Sequence, residues 1–533
     1  MKNKTSVILT PILFAIVLVL GIYLGKTINT RSTQKANIIY PQTDKLHTVL
    51  NYIQKEYVDT VDMDKLIEKT IPLLLEQLDP HSVYIPAKDM EAANEPIEGN
   101  FDGIGVMFNI QKDTVVVINT ISKGPSERIG VKAGDRIVKV NDSLFVGKKI
   151  NNKLVVKTLK GPSGTKVKIS VKRKGFPKLI DFTIKRDKIP VKSVDVAYMI
   201  KPHIAYIKIS KFSMTTYQEF KKAIILLKSK GADSWILDLR GNGGGIMQAA
   251  VQIADEFLDK GKLIVYTQGK ARARKDIVAD NKGFCKKDKL VVLIDEWSAS
   301  ASEILAGALQ DNDRGEIVGR RSFGKGLVQE PTFFPDNSGL RLTIARYYTP
   351  TGRCIQKSYG KDLEDYYMDL NKRFEHGEFT QADSIHFNDS LKFTTAGGKI
   401  VYGGGGIMPD YFVPVDTSGN SQYLKKIVAR GLIYKFAFQY VDQNRKKLLS
   451  FKDYKTLNAY LLKQNIFNQF VKFAEKEGIS SNDKGIALSK DLIENYLLAY
   501  VNRNVLDDDG FYPTLLMRDK TVQKALEVLK MEK

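Results

Sequence analysis

The segment Trp235-Ile236-Leu237-Asp238-Leu239 constrains the fold of this chain more than any other stretch. Its apolar side chains follow one another without alternation, so a strand there must be covered on both faces. A glycine-rich turn, Gly241-Asn242-Gly243-Gly244-Gly245, comes next. Ile246, Ala249, Ala250, Ile253, Ala254 and Phe257 then recur at helical spacing on one side. Helices and strands continue to alternate from Ser193 to about Pro414, which predicts a mixed α/β core.

The pattern changes on either side of that core. From Lys45 to about Glu98 the pattern is helical: Leu46, Leu50 and Ile53, and then Leu66, Ile67, Ile71, Leu74 and Leu75, keep the three- and four-residue spacing of a helix face. Near Phe101 it gives way to short strands. Lys166 to Lys172 alternates cleanly, with lysines and Ser170 on one face and Val167, Ile169 and Val171 on the other. From about Gln422 the chain is helical again and ends in an amphipathic helix of Val522, Ala525, Leu526 and Leu529, with Asp519 as its N-cap. There is no internal repeat, and Gly403 to Gly406 reads as a turn or a close backbone approach. At 533 residues, two to about four domains are expected. The boundaries read as 1–40, 41–98, 99–177, 178–418 and 419–533.

An almost uncharged run from Ser6 to Gly25 follows Lys2 and Lys4, long enough to span a bilayer as a helix. No small-x-small cleavage site follows, so an uncleaved anchor is expected over a removed signal peptide. Residues 27–40 read as a polar linker. Either way the bulk of the chain is expected outside the cytoplasm.

Net charge is +22 and the pI about 9.5, which favours anionic partners or a solvated lysine-rich surface. No nucleic-acid module is recognisable, and none is expected as a partner. Two cysteines, Cys285 and Cys354, are too few for a disulfide framework; free thiols are expected, with a single bridge as the alternative. The five histidines show no metal-ligand spacing, and His81, in Asp79-Pro80-His81-Ser82, reads as a turn residue. No metal or organic cofactor is implied.

Two segments carry chemistry. Ser300 lies in Ser298-Ala299-Ser300-Ala301-Ser302-Glu303, where the apolar run Leu290 to Ile294 passes into a helical pattern. A helix N-terminus favours developing negative charge, and the Ala301 amide beside Ser300 is a natural oxyanion donor. Read alone, the three serines also fit ordinary helix caps. Lys325 sits in Gly324-Lys325-Gly326-Leu327-Val328-Gln329. A serine hydroxyl needs a base, and a lysine with a depressed pKa supplies one. In an extended segment positions 325, 327 and 329 share a side, so Gln329 can hold the amine without adding negative charge. Alone, Lys325 also fits a surface lysine in a glycine loop. The turn at 241–245 offers a second oxyanion donor, the amide of Gly244. A phosphate loop is the weaker reading, because no lysine-serine follows. Gly103-Ile104-Gly105-Val106, a glycine-rich loop feeding a strand, can bind a peptide carboxylate through its amides while the peptide adds as an extra strand.

These motifs, with Leu78 to Ser82, the segment Gly124 to Asn141, Asp238 to Gly245 and Tyr348-Thr349-Pro350-Thr351-Gly352-Arg353, resemble those of the carboxyl-terminal processing peptidases, or tail-specific proteases, over residues 45–415. The resemblance implies a crotonase-like (ClpP/crotonase) α/β protease core with an inserted PDZ domain, an N-terminal helical region and, beyond the shared core, a C-terminal helical extension. It assigns the nucleophile to Ser300, the general base to Lys325 and its partner to Gln329; Asp311, discussed in some members, reads as structural. The implied function is a membrane-anchored serine endopeptidase of the cell envelope, acting on proteins with free C-termini, with a homo-oligomer compatible. The alternative is a non-catalytic PDZ scaffold with a degenerate core. An acyl-CoA-handling crotonase relative fits the core but not the PDZ segment. One departure is an insertion at 357–396, charged and expected on the surface, before Gly406-Ile407-Met408-Pro409-Asp410.

Overall fold

The computed structural model describes residues 19–20, 43–111, 113–360, 363–385, 388–480 and 482–531, in two compact units, 1–74 and 75–533. The apolar run Ser6 to Gly25 and the linker after it lie outside the described residues, apart from Val19 and Leu20. Among the described residues no helix is long and apolar enough to cross a membrane. In the first unit α1 (Thr43–Glu56) precedes α2 (Met63–Glu76), whose last two residues open the second unit.

The helical pattern expected to Glu98 breaks once. A short strand, β1 (Val83–Ile85), forms before α3 (Ala87–Glu98) and pairs antiparallel with Gly339–Arg341 of the core. Pro86 disfavours helical backbone at Ile85, and a Val-Tyr-Ile run favours extension.

The strand-rich segment is built from β2 (Asn100–Gly103), β3 (Val106–Gln111), β4 (Thr114–Thr120), α4 (Pro125–Arg128), β5 (Arg136–Val140), β6 (Ser143–Leu144), α5 (Asn152–Leu159), β7 (Lys166–Lys172), β8 (Ile180–Lys185) and β9 (Asp187–Pro190). Its sheet runs β3-β4-β5-β7-β8, with β6 beside β5, which leaves β3 at an edge. Val115, Val117, Ile137, Val155, Val167, Ile169, Val171 and Ile184 fill its core. Ser170, expected on the polar face of β7, is buried as well. Antiparallel pairing of β2 with β9 brings both ends of the segment together, the geometry of an insertion.

The core continues with β10 (Val194–Lys201), β11 (Ile204–Ile209), α6 (Thr216–Ser229), β12 (Ser234–Asp238), α7 (Met247–Asp255), β13 (Leu263–Gly269), β14 (Arg272–Val278), β15 (Lys289–Ile294), α8 (Ala301–Asp311), β16 (Glu316–Gly319), β17 (Leu327–Phe333), β18 (Gly339–Tyr348), α9 (Leu363–Glu375), β19 (Lys392–Thr394), β20 (Ile400–Tyr402) and β21 (Tyr411–Phe412). One sheet runs β10-β11-β12-β15-β16-β21, parallel from β11 onward. A second, antiparallel sheet runs β1-β18-β13-β14, with β17 on β18.

Among the described residues six helices follow: α10 (Gln422–Ala429), α11 (Leu432–Leu448), α12 (Tyr454–Lys463), α13 (Ile466–Lys476), α14 (Asp483–Leu515), bent at Asp507, and α15 (Lys520–Met531). The first five share a core around Phe436, Phe470, Leu497 and Val501. Asp519 caps α15, accepting the Val522 N–H at 2.9 Å. That helix explains why β12 is apolar on both faces. Trp235 and Leu237 pack toward α6, α7 and α8, while Ile236 packs on the side covered by Val522, Ala525, Val528 and Leu529.

The insertion at 357–396 is not a purely surface segment. Lys357, Tyr366 and Arg373 are 7%, 3% and 4% exposed. Lys357 Nζ lies 4.1 Å from the ring centroids of both Phe323 and Tyr366 and 3.0 Å from Asp369. Arg373 donates to Glu378 and to the carbonyls of Arg321 (2.8 Å) and Ser322 (3.1 Å). Charge is tolerated inside because each group is paired.

Candidate active site

Ser300 stands between β15 and α8 with φ 56° and ψ −114°, backbone that a non-glycine residue adopts only where its surroundings enforce it. The surroundings are visible. Ser298 Oγ donates to the Leu239 carbonyl (2.9 Å), the Ala299 N–H to the Asn242 carbonyl (3.0 Å), and Ser302 Oγ to the same carbonyl (2.8 Å). The flanking serines therefore knit the serine turn to the glycine turn, leaving Ser300 to line a cavity of about 670 Å³. Only glycine fits at 244, where φ is 98° and a Cβ would come within 2.7 Å of Ser300 Cβ.

Lys325 lines the same cavity from the loop before β17, and its Nζ donates to Gln329 Oε1 at 3.2 Å. Among the described residues no hydrogen bond joins it to Ser300 Oγ. Gln329 Nε2 in turn donates to the His81 carbonyl. Asp79 fixes that turn by accepting from the His81 N–H (2.8 Å), the Ser82 N–H (2.9 Å), Ser82 Oγ (2.6 Å) and Thr343 Oγ1 (3.1 Å). The His81 ring reaches the Tyr366 hydroxyl at 2.7 Å, so the inserted helix α9 touches the support of the lysine.

Burial pulls the Lys325 ammonium below its ordinary pKa; Asp79 and Glu303 pull the other way and Arg341 assists the depression. Burial and the Lys325 charge push His81 down to about 4, against Asp79. Both shifts favour neutral side chains around Ser300.

Two residues not singled out from sequence connect the halves of the site. Glu303 is fully buried; one carboxylate oxygen accepts the N–H of Ser300 (2.8 Å) and of Lys325 (2.9 Å), the other Ser322 Oγ (2.5 Å) and the Gly324 N–H (2.7 Å). Burial raises its pKa to about 7 against these four bonds. The Tyr347 hydroxyl lies 3.1 Å from the carbonyl of Ser300 and 2.5 Å from that of Lys325. The Ser-x-x-Glu spacing of a capping box was the available signal for Glu303; nothing local marks Tyr347.

For an oxyanion, the Ala301 N–H has no partner among the described residues. The Gly244 N–H differs from expectation: it donates to Asn242 Oδ1 at 2.9 Å. Its neighbours Gly243 and Gly245 carry N–H groups without partners among the described residues and also line the cavity. Met214, Ile246, Ile304, Leu327, Pro331 and Phe333 make the wall largely apolar. Asp311 lies elsewhere, paired with Arg353 at 2.6 Å with both side chains 0% exposed.

Gly103, Ile104, Gly105 and Val106 are not part of this cavity. They form the loop from β2 into β3, with Gly105 at φ 72°. The Ile104 carbonyl accepts from the Ser126 N–H (3.1 Å) and Oγ (2.6 Å), and its side chain is in the core of the strand-rich segment. The N–H groups of Ile104 and Gly105 have no partner among the described residues. Cys285 and Cys354 are both free thiols, and no cluster of potential metal ligands occurs among the described residues.

Three stretches of the chain match known families. Residues 203–364 match peptidase family S41, residues 103–185 a PDZ domain, and residues 423–507 a family of unknown function (DUF8443). The carboxy-terminal processing protease CtpA of Bacillus subtilis is 35% identical over 63% of this chain and 73% of its own length. A carboxy-terminal-processing protease of Bartonella bacilliformis is 36% identical over 63% and 76%. Among solved structures, a photosystem II D1 C-terminal processing protease matches at 27% identity and a TM-score of 0.34, over 61% of this chain and 96% of that one. An S41 catalytic segment, an inserted PDZ domain and relatives matched over most of their length place this chain in the carboxy-terminal processing protease family, as a serine-type peptidase.

Proposed function

We propose that the protein is an endopeptidase of the cell envelope that captures protein C-terminal tails on its PDZ domain and cuts them with a Ser300–Lys325 dyad. In this reading the core is crotonase-like, residues 99–177 form the PDZ domain, 178–418 the protease core and 419–533 a helical extension. Residues 1–40 anchor the chain in the inner membrane, with the catalytic part outside the cytoplasm.

The observation that carries the dyad is a desolvated lysine amine with a neutral hydrogen-bond partner, in one cavity with a serine on strained backbone. Neutral Lys325 leaves Gln329, takes the proton from Ser300 Oγ, and Oγ attacks the scissile carbonyl carbon. The Ala301 N–H and an amide of the 243–245 turn stabilise the oxyanion. As the intermediate collapses, the C–N bond breaks and the Lys325 ammonium returns its proton to the leaving amine. Water then gives a proton to Lys325 and attacks the acyl carbon; the bond from that carbon to Ser300 Oγ breaks, the Lys325 ammonium returns its proton to Oγ, and the new carboxyl group leaves, giving its own proton to solvent. A substrate tail is held by its carboxylate on the amides of the 103–106 loop, adding antiparallel to β3.

Ser300→Ala and Lys325→Ala should each lower peptide cleavage by at least about a thousandfold while leaving the folded state intact. A fluorophosphonate probe should label the parent protein at Ser300. Near-parent turnover by either variant would refute the dyad, and an unlabelled, inactive parent would favour the non-catalytic scaffold.

A further inference from the structure

The described helices after Ser421 contain residues 423–507, which match a family of unknown function, and they lie against the PDZ domain. Arg136 of β5 pairs with Asp442 of α11 at 2.9 Å. Asn119 Nδ2 of β4 donates to Asp507 at 2.7 Å, at the bend of α14. Arg445 packs on Gly134, where an added Cβ would stand 3.4 Å from its Nε. Three contacts from two helices, two of them through the C-terminal half of α11, hold these helices on the PDZ domain, and the first turns of α11 stand beside the far end of β3.

A cavity of about 250 Å³ lies there, lined by Asn109, Ile110 and Gln111 of β3 and by Tyr434, Lys435 and Gln439 of α11. Successive strand residues point to opposite faces of a sheet. A space lined by three in a row therefore lies off the strand's edge, and the other edge of β3 is occupied by β4. The cavity is thus continuous with the open edge on which a tail would pair. Its lining is rich in donors. Gln111 Nε2 is buried without a hydrogen-bond partner among the described residues, and Lys435 Nζ pairs with Glu477 at 2.6 Å and lies 5.9 Å from the Phe473 ring centroid.

A tail with its carboxylate at Ile104–Gly105 and its last residue opposite Val106 runs antiparallel to β3 one residue for one, at about 3.3 Å each, so its sixth residue from the end faces Gln111. We propose that the first turns of α11 complete the tail-binding cleft. They would bind the stretch about five to seven residues before the substrate's C-terminus through its acceptor groups, namely main-chain carbonyls and Asp, Glu, Asn or Gln side chains. This rests on the PDZ capture proposed above and gives the helical region a role in choosing substrates.

The test uses the full chain carrying Ser300→Ala, so that bound peptides survive. The probe is the decapeptide most enriched from a random C-terminal display library on this protein, compared by fluorescence anisotropy with its last four residues alone and with its C-terminal amide. The decapeptide should bind about tenfold tighter than the tetrapeptide, the worth of one or two added hydrogen bonds. Lys435→Ala combined with Gln439→Ala should erase that advantage and leave tetrapeptide affinity unchanged, with Gln439→Trp as a steric check and thermal melting to confirm folding. Equal affinity of the two lengths, an advantage that survives both variants, or equal weakening of both peptides would overturn the proposal. If the amide binds as well as the acid, or the library enriches no tail, carboxylate capture itself fails and this inference falls with it.

Discussion

Glu303→Gln is the perturbation that separates a site built by Glu303 from one that merely contains it. The carboxylate accepts four hydrogen bonds, from Ser300, Lys325, Ser322 and Gly324. An amide of the same shape has one acceptor oxygen, so two of the four donors lose their partner and meet an NH₂ group instead. At about 1.5–3 kcal/mol for each bond to a charged group, the loss is about 3–6 kcal/mol before relaxation. Rotation of freed groups toward water returns part of it, and about 3 kcal/mol is expected in chemical denaturation, within the total stability of a typical domain. Catalysis should fall further than stability implies. If the amide oxygen keeps Ser322 and Gly324, the backbones of Ser300 and Lys325 separate; if it keeps Ser300 and Lys325, the loop before the lysine loosens. A shift of about 1 Å between reacting groups is worth about a hundredfold in kcat. The assay is single-turnover cleavage of a fluorogenic peptide beside urea unfolding of the same sample. A Glu303→Gln variant within about threefold of the parent kcat would refute the positioning argument, whatever its stability.

The pH profile carries a second prediction, with a definite sign. Lys325 accepts a proton only when neutral, and burial lowers its pKa; Glu303, raised to about 7, gives up an acceptor when protonated. kcat/KM should therefore rise with pH through about 7 and level off below the ordinary lysine value of 10.5, and Gln329→Glu should move the rising limb upward by placing a charge on the amine. A flat profile, or a limb that Gln329→Glu leaves in place, would contradict a lysine base. Arg373→Ala should destabilise the protein by about 3 kcal/mol in urea unfolding, because it leaves the Arg321 and Ser322 carbonyls unpaired inside; a change under about 0.5 kcal/mol would show that the insertion bears no load.

The sequence made the strand–turn–helix unit legible because each part has a strong local signature: an apolar run, a glycine cluster, a 3.6-residue period. Ser300 and Lys325 stood out in the sequence for a different reason, as residues able to carry chemistry, set in motifs that resemble those of the family. Glu303 was visible only as a cap. The partners that make it more, Ser322, Gly324 and Lys325, come from another loop, and no local pattern encodes that approach. Strand β1 hid in a helical spacing because its pairing partner lies in β18. In the insertion, Lys357 and Arg373 read as solvated charge, yet aromatic rings and carbonyls receive them inside. At Gly244 the residue type followed from the close approach of Ser300, but the direction of its N–H is decided by the Asn242 side chain.

Lys399 shows by contrast what favours the base role proposed for Lys325. Burial lowers both lysines, but Lys399 has Asp410 nearby and Glu316 at 2.8 Å, and these outweigh burial so that its pKa is raised. Asp79 and Glu303 act on Lys325 with the same sign, yet among the described residues neither forms an ion pair with it. The reason lies in how their lone pairs are used. Asp79 binds the 79–82 turn and Thr343, while Glu303 binds three backbone amides and the Ser322 hydroxyl. Both carboxylates are committed to holding the loops, and among the described residues the amine's hydrogen-bond acceptor is the uncharged Gln329. A carboxylate that builds the site without touching the amine reconciles two opposed needs: negative charge to organise buried amides, and none close enough to keep the lysine protonated.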